Sequence, residues 1–309
     1  MRLRFSLRDK VRHLLFVGLL LLAGINVDGA IYYSRVATGN FANVSTWSTS
    51  PTGTPANNTA LTNTDVFIIQ SGHTITVAAN QTVASITVNS GGQLTIGSNT
   101  FTVTGTTMVS GTILIASNTS VKTFTGLVTI NAGGTWTSTA ATTASRVVFK
   151  GGITTNSANV FSAAGATFNS NNQDFSGTGS FNFQDITVNG VTLTNNETLT
   201  VGTSLSGTGR LENASSGVLN IGGTITVSTL TATATGNTVN YSGGNQTGIS
   251  TIYNNLTISG TNTKTFATTP TVTGTLSMEG TASIVVTTGA VTYGSNATLQ
   301  YNKATNYTA

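Results

Sequence analysis

The stretch Val83–Gly105, VASITVNSGGQLTIGSNTFTVTG, decides how this chain is read. In it, short runs that alternate Ile, Val, Leu or Phe with Thr are broken every few residues by Gly, Asn and Ser. Period-2 alternation buries one face of a strand, and Gly and Asn supply the backbone angles that tight corners need, so the stretch predicts strand, corner, strand, corner. The same beat starts at Asp65 with DVFIIQ, HTITVA, ASITVN, QLTIGS and FTVTG. It returns as GTILIAS, GLVTINAGG, RVVFKGG, DITVNG, ETLTVGTSLSG, GVLNIGGTITV, NLTISG and SIVVTTG. Outside the first thirty residues no window sustains a 3.6-residue period, which predicts no significant helix there.

A longer repeat lies over this beat. Thr167–Gly190 (TFNSNNQDFSGTGSFNFQDITVNG) aligns with Thr238–Gly260 (TVNYSGGNQTGISTIYNNLTISG) with one gap, and the alignment sets Asp185 against Asn255. Thr298 begins a third copy, TLQYNKATNYTA, that stops at Ala309. Repeat arrays end in an atypical cap rather than inside a unit, so the array is expected to be truncated at its C-terminus. Many short, evenly spaced strands admit a sandwich, a barrel or a solenoid. Fixed-period repetition without Pro-rich or charged linkers favours the solenoid. The expected fold is all-β: a right-handed parallel β-helix (β-solenoid) of roughly a dozen coils with an N-terminal cap. Each coil of about 20 residues stacks about 4.8 Å from the last, giving a rod roughly 60 Å long. Asn at the corners is expected to stack, its amides paired from coil to coil.

Composition narrows the classes. The 309 residues include no Cys and 35 Gly, only 6% are charged, and about a fifth are Thr. A disulfide scaffold and a thiolate metal site are excluded. The net charge of +4 is concentrated in a leader: Arg2, Arg4, Arg8, Lys10 and Arg12 precede the apolar run Leu14 to Gly24, followed by Gly29 and Ala30. Without residues 1–30 the balance is 7 basic against 6 acidic side chains, or +1, which argues against a nucleic-acid partner. The layout is that of a secretory signal peptide, and eleven apolar residues are too few to span a bilayer. The expected organisation is thus signal peptide 1–30, aromatic cap 31–64 and solenoid 65–309. The mature chain is expected to be secreted or held at the cell surface, with no membrane span once the leader is removed.

Residues Ile31 to Pro55 carry Tyr32, Tyr33, Phe41 and Trp47 in a polar background. They suit an end cap over the solenoid core. As an alternative, Trp47, Tyr32 and Tyr33 are candidate ligand contacts, since exposed aromatics mark binding patches.

The opening TGNFANVSTWS, followed by DVFIIQSGHTITV, ASITVNSGGQLTIG and the units TVNYSG, YNNLTISG and TVTGTLSM, resembles the secreted β-helical repeat proteins of Bacteroidota. The resemblance covers nearly all of the chain after residue 30. It implies a surface or secreted adhesin-like protein, commonly exported by the type IX route with a C-terminal sorting domain that this sequence does not contain.

Chemistry-bearing residues are few. His73 is the one histidine after the leader, and Asp65 lies eight residues before it. A Ser-His-Asp device needs His within reach of both partners, and a corner role for His73 is the plainer expectation. No second His and no Cys accompany it for zinc. Asp174 and Asp185, with Arg210 or Lys150, are the nearest thing to an acid/base set, but a spacing of eleven is half a coil and predicts different faces. No Gly-Gly-x-Gly-x-Asp calcium repeat and no P-loop occurs. The expectation is no catalysis, no cofactor and no metal, and an exported structural or adhesive rod contacting glycans or cell-surface and matrix components. The alternatives are a carbohydrate-active β-helix enzyme or sugar-binding module, and, with less support, ice binding by Thr rows, because TIT, TVT and TLT fall at uneven intervals.

Overall fold

The computed structural model describes residues 29–139 and 147–302, and the signal peptide expected at 1–30 falls almost wholly outside them, as do the last residues of the third repeat copy. The described residues form a parallel β-solenoid of about twelve turns. Regular structure is almost entirely strand, with one short 3-10 turn, Val44–Thr46, and no α-helix among the described residues.

Each turn has three sides. The opening stretch is one such turn: Ser85–Val88 lies on the first face, Gln93–Ile96 on the second and Phe101–Val103 on the third. On the first face Phe67, Ile86, Thr107, Val128, Ile153 and Phe175 are register partners in succession. On the second face Ile75, Leu94, Ile113 and Trp136 are aligned. On the third, Val83, Val103, Phe124, Phe149, Phe168 and Val188 are aligned. These columns are buried, as alternation predicts, and their rings stack along the axis. Phe124–Phe149 and Phe149–Phe168 centroids are both 5.7 Å apart at 21°, a favourable offset arrangement.

Turns differ in length, and the corners absorb the difference. The turn that carries Thr238 onto its partner Asn255 is much shorter than the one that carries Val128 onto Ile153. At strand ends one Asn pair links turns, Asn195 Nδ2 donating to Asn213 Oδ1 at 2.8 Å, and within second-face strands Asn240 Nδ2 donates to Asn220 Oδ1 at 3.1 Å. Gln81–Val83, which lies between the quoted runs HTITVA and ASITVN, is a strand of the third face.

The N-terminal end is closed. Phe41 and Trp47 have no exposed surface and pack with Phe67 at centroid distances of 4.7 to 4.8 Å. The segment 31–64 is more than a lid, because Ile31–Ser34 pairs in parallel with Val66–Ile69 and Thr38–Asn40 with Thr74–Val77. It therefore supplies the first rung on two faces. The cap also has the antiparallel pairing Tyr33↔Ser48 and Ser34↔Trp47.

Near residue 240 the ladders weaken. On the third face the first half of the strand Thr224–Thr231, up to Val227, and Gln246–Gly248 occupy consecutive rungs but belong to separate sheets. On the first face a single bridge, Ala232↔Tyr253, spans the same level. Only the second face runs through, with Thr238–Tyr241 paired to Asn255–Ile258. A polar ring holds this level from inside. Ile249 N–H donates to Tyr241 Oη at 3.0 Å, and Tyr253 Oη donates back to the Ile249 carbonyl. The Tyr241 and Tyr253 hydroxyls are 3.0 Å apart. The proton order is therefore fixed, Tyr241 donating to Tyr253.

Candidate functional site

Of the aromatic contact candidates, two are enclosed. Trp47 has no exposed surface and its Nε1 donates to the Phe41 carbonyl at 2.8 Å; Tyr32 is 4% exposed and its hydroxyl meets Thr59 Oγ1 at 3.3 Å. Rings committed to the core cannot also face a ligand, which corrects the platform alternative for these two. Tyr33 is half-buried in the outward column of the first face beside Ile68.

His73 sits at the corner before Thr74–Val77, with Nδ1 2.8 Å from Ser34 Oγ. Ser34 Oγ also accepts the Gln70 N–H at 2.9 Å, and the His73 tautomer sets which of Ser34 and His73 donates to the other. The pair resembles two members of a nucleophilic device, but Ser34 is wholly buried and its backbone is clamped by Gln70 Nε2. Asp65 is engaged elsewhere: Oδ1 accepts Ala30 N–H at 2.9 Å and Oδ2 accepts Thr62 N–H at 2.6 Å. These three residues fasten the first two rungs together.

The acids separate as their spacing predicts. Asp174 faces outward on the first face and pairs with Thr194, whereas Asp185 lies on the third face between Gly165 and Ser204. The register adds a relation the sequence does not suggest: Thr194 also pairs with Glu212, so Asp174 and Glu212 share a column two rungs apart, about 9.6 Å. Arg210 lies beside it, its Nε donating to Thr231 Oγ1 at 2.9 Å. Lys150 follows the third-face strand Val147–Phe149. A hydrolytic pair needs one carboxyl with a raised pKa. Burial does raise two carboxyls, Asp185 and Glu197. Among the described residues no cluster of three or more His, Asp or Glu is placed to hold a metal.

Two lysines and two glutamines that sequence reasoning passes over are buried fasteners. Lys122 Nζ donates to the carbonyls of Ser117 and Ser120 at 2.6 and 2.8 Å. Lys264 Nζ donates to those of Gly243, Gly244 and Thr261 at 2.7 to 2.8 Å, and desolvation lowers its pKa. Both open the tripeptide Lys-Thr-Phe on the third face, and that recurrence is the available signal. Gln173 and Gln246 act alike: each accepts a corner Gly N–H and donates to two carbonyls.

The outward surface is a lattice of hydroxyls. On the second face Thr74 and Thr76, Gln93 and Thr95, Thr112 and Leu114, and Thr135 and Thr137 form two adjoining rows in register. Neighbours are about 6.6 Å apart along a strand and about 4.8 Å apart between rungs. The rows are interrupted, as the uneven sequence intervals predict: Gln93 breaks one and Leu114 the other, and only Thr74–Thr76 and Thr135–Thr137 present complete Thr pairs here. On the third face Thr167, Thr187, Ser206 and Thr226 continue, past the sheet break, as Thr247 and Thr265. At that break lies a recess of about 490 Å³ lined by Thr224, Ile225, Thr226, Asn245, Gln246, Thr247 and neighbouring residues.

No family model matches the chain, and comparison with curated proteins and with solved structures finds no match to either.

Proposed function

We propose that this chain is an exported, non-enzymatic rod that makes adhesive contacts at the cell surface or in the extracellular matrix, as its resemblance to the secreted β-helical proteins of Bacteroidota implies. The observation that carries this reading is the register of the outward columns. Turn after turn presents neutral hydroxyls and amides in the same direction, so one weak contact can recur along the rod and sum to avidity. Asp174 and Glu212 share a column with Thr194 between them, and Asp65, Asp185 and Glu279 lie elsewhere on the rod. In the experiment, beads are coated at varied density with the full chain and applied to intact bacterial cells and to glycan-coated plates. Retention should be weak at low density and rise steeply with clustering. Retention no greater than that of beads carrying a neutral soluble protein, at every density, overturns the reading. Export is tested separately: the secreted product should begin at Ile31.

The paired Thr rows of the second face favour a second reading, ice binding. Hydroxyl and methyl groups held on a rigid two-dimensional repeat can order a water layer. Thermal hysteresis that disappears on Thr95→Lys would support it, and growth of ice crystals unaltered by the intact chain would sink it.

A further inference from the structure

We propose that the break in the third face is a binding site for a neutral, hydroxyl-dense ligand of the saccharide class. This inference rests on the adhesive reading above and gives it a definite contact point.

Apart from the terminal strands Gln81–Val83 and Ser283–Val286, the other strands of the third face are hydrogen-bonded to the rung before and after them, which leaves only side chains to meet a ligand. Between Thr224–Thr231 and Gln246–Gly248 that pairing stops. Backbone N–H and C=O groups on the two facing edges have no ladder partner across the gap, and such groups must be satisfied by water or by something that replaces it. The recess there, about 490 Å³, falls within the size range of small-molecule sites.

Its lining selects the ligand's chemistry. The residues around it carry no ionisable group pointing outward. Lys264 lies in the adjacent strand, but its ammonium is turned in and held by three carbonyls. The hydroxyls of Thr226, Thr247 and Thr265 have no intramolecular hydrogen bond, and each can donate one and accept two. Ile225 and the Thr methyls supply apolar patches between them. Alternating hydroxyl and C–H surface without charge matches a sugar ring, and matches neither a phosphate nor an acidic peptide. The wall is rigid in advance. Gln246 has its amide fixed by Gly243 N–H and by the carbonyls of Ile221 and Gly223 at 2.7 to 2.9 Å, so little ordering cost remains for binding.

Ligand-observed NMR of the full chain with maltose, cellobiose and chitobiose provides the test. At least one should bind, with an affinity indifferent to added salt. The variant Thr247→Val/Thr265→Val keeps shape and β-branching while removing two hydroxyls, and should weaken binding about tenfold or more. The variant Thr87→Val/Thr129→Val, which removes two hydroxyls from the first face, should leave it unchanged. The site is refuted if none of the three sugars binds, if the third-face variant binds as well as the wild type, or if both variants lose binding equally. Bead retention on cells separates the two ideas. Retention that survives Thr247→Val/Thr265→Val removes the recess and leaves adhesion standing, and a sugar bound at the recess by a chain that no cell retains does the reverse.

Discussion

Replacing Tyr241 by Phe removes one hydroxyl from a ring of four hydrogen-bonding groups closed on the backbone of Ile249. Tyr241 has no exposed surface, so the Ile249 N–H that it accepts becomes a buried donor without a partner, and Tyr253 loses the proton donated to it. A stranded buried donor costs about 1–3 kcal/mol, which is the loss expected in guanidinium unfolding at roughly pH 8. The same hydroxyl predicts a pH effect. Burial is the main reason the Tyr241 pKa is pushed up to about 12 from 10.0, outweighing its hydrogen bonds with Tyr253 and Ile249, which lower it. The unfolded chain therefore releases this proton near pH 10 while the folded chain keeps it. The stability involved is present below pH 10 and drains away as pH rises toward 12, by about 3 kcal/mol. Burial raises Tyr253 as well, in the same direction. Denaturation midpoints of the wild type should fall steeply between roughly pH 10 and 11.5, and those of Tyr241→Phe less steeply. Parallel slopes for the two proteins, or a Tyr241→Phe variant as stable as wild type at pH 8, would refute the argument that the hydroxyl ring secures this level of the rod.

Three other outcomes follow from the geometry. Since two of the three ladders are interrupted near residue 240, amide exchange should show residues 242–302 opening as one unit before residues 85–230, and uniform protection along the chain counts against this. Gln173→Leu deletes the bonds to Phe149, Ser170 and Gly152 at 2.8 to 3.1 Å, and thermal or denaturant unfolding should register a loss of about 2–3 kcal/mol, whereas an unchanged midpoint would assign that corner's order to its backbone alone. Gly111→Ala drives a methyl into the carbonyls of Gly92 and Asn89 and should abolish soluble expression or cost more than about 3 kcal/mol. Gly133→Ala, at φ +79° with open space around it, should cost only about 1–2 kcal/mol of backbone strain.

The solenoid is legible in the sequence because its two requirements are local. Ile75, Leu94 and Ile113 alternate with Thr at every beat, and a Gly or Asn follows each run, so strand and corner are both written in neighbouring residues. The half-coil spacing of Asp174 and Asp185 places them on different faces for the same reason. Register is not legible, because it depends on the sum of several corner lengths. Asp174 and Glu212 are remote in sequence and only two rungs apart in space. Uneven TxT intervals suggest broken rows, and Gln93 and Leu114 do interrupt those of the second face. Burial is the other blind spot. Trp47 and Tyr32 carry the composition of a binding patch, and only the packing around Phe67 shows two of the three candidate rings facing the core. Lys122 and Lys264, charged residues inside strands, read as surface until their carbonyl partners are seen.

The long repeat that sets Asp185 against Asn255 is not a whole number of turns. Asp185 belongs to the third face and its counterpart Asn255 to the second, and Phe183, on the second, corresponds to Tyr253 on the first. Every strand of the later copy is thus moved by one side of the triangle. If the array grew by duplication, each duplication also rotated the new segment about the rod. The same string of amino acids then looks out in a different direction, and a single sequence motif comes to decorate the circumference instead of a stripe. A rod built this way needs no particular roll angle to meet a flat surface.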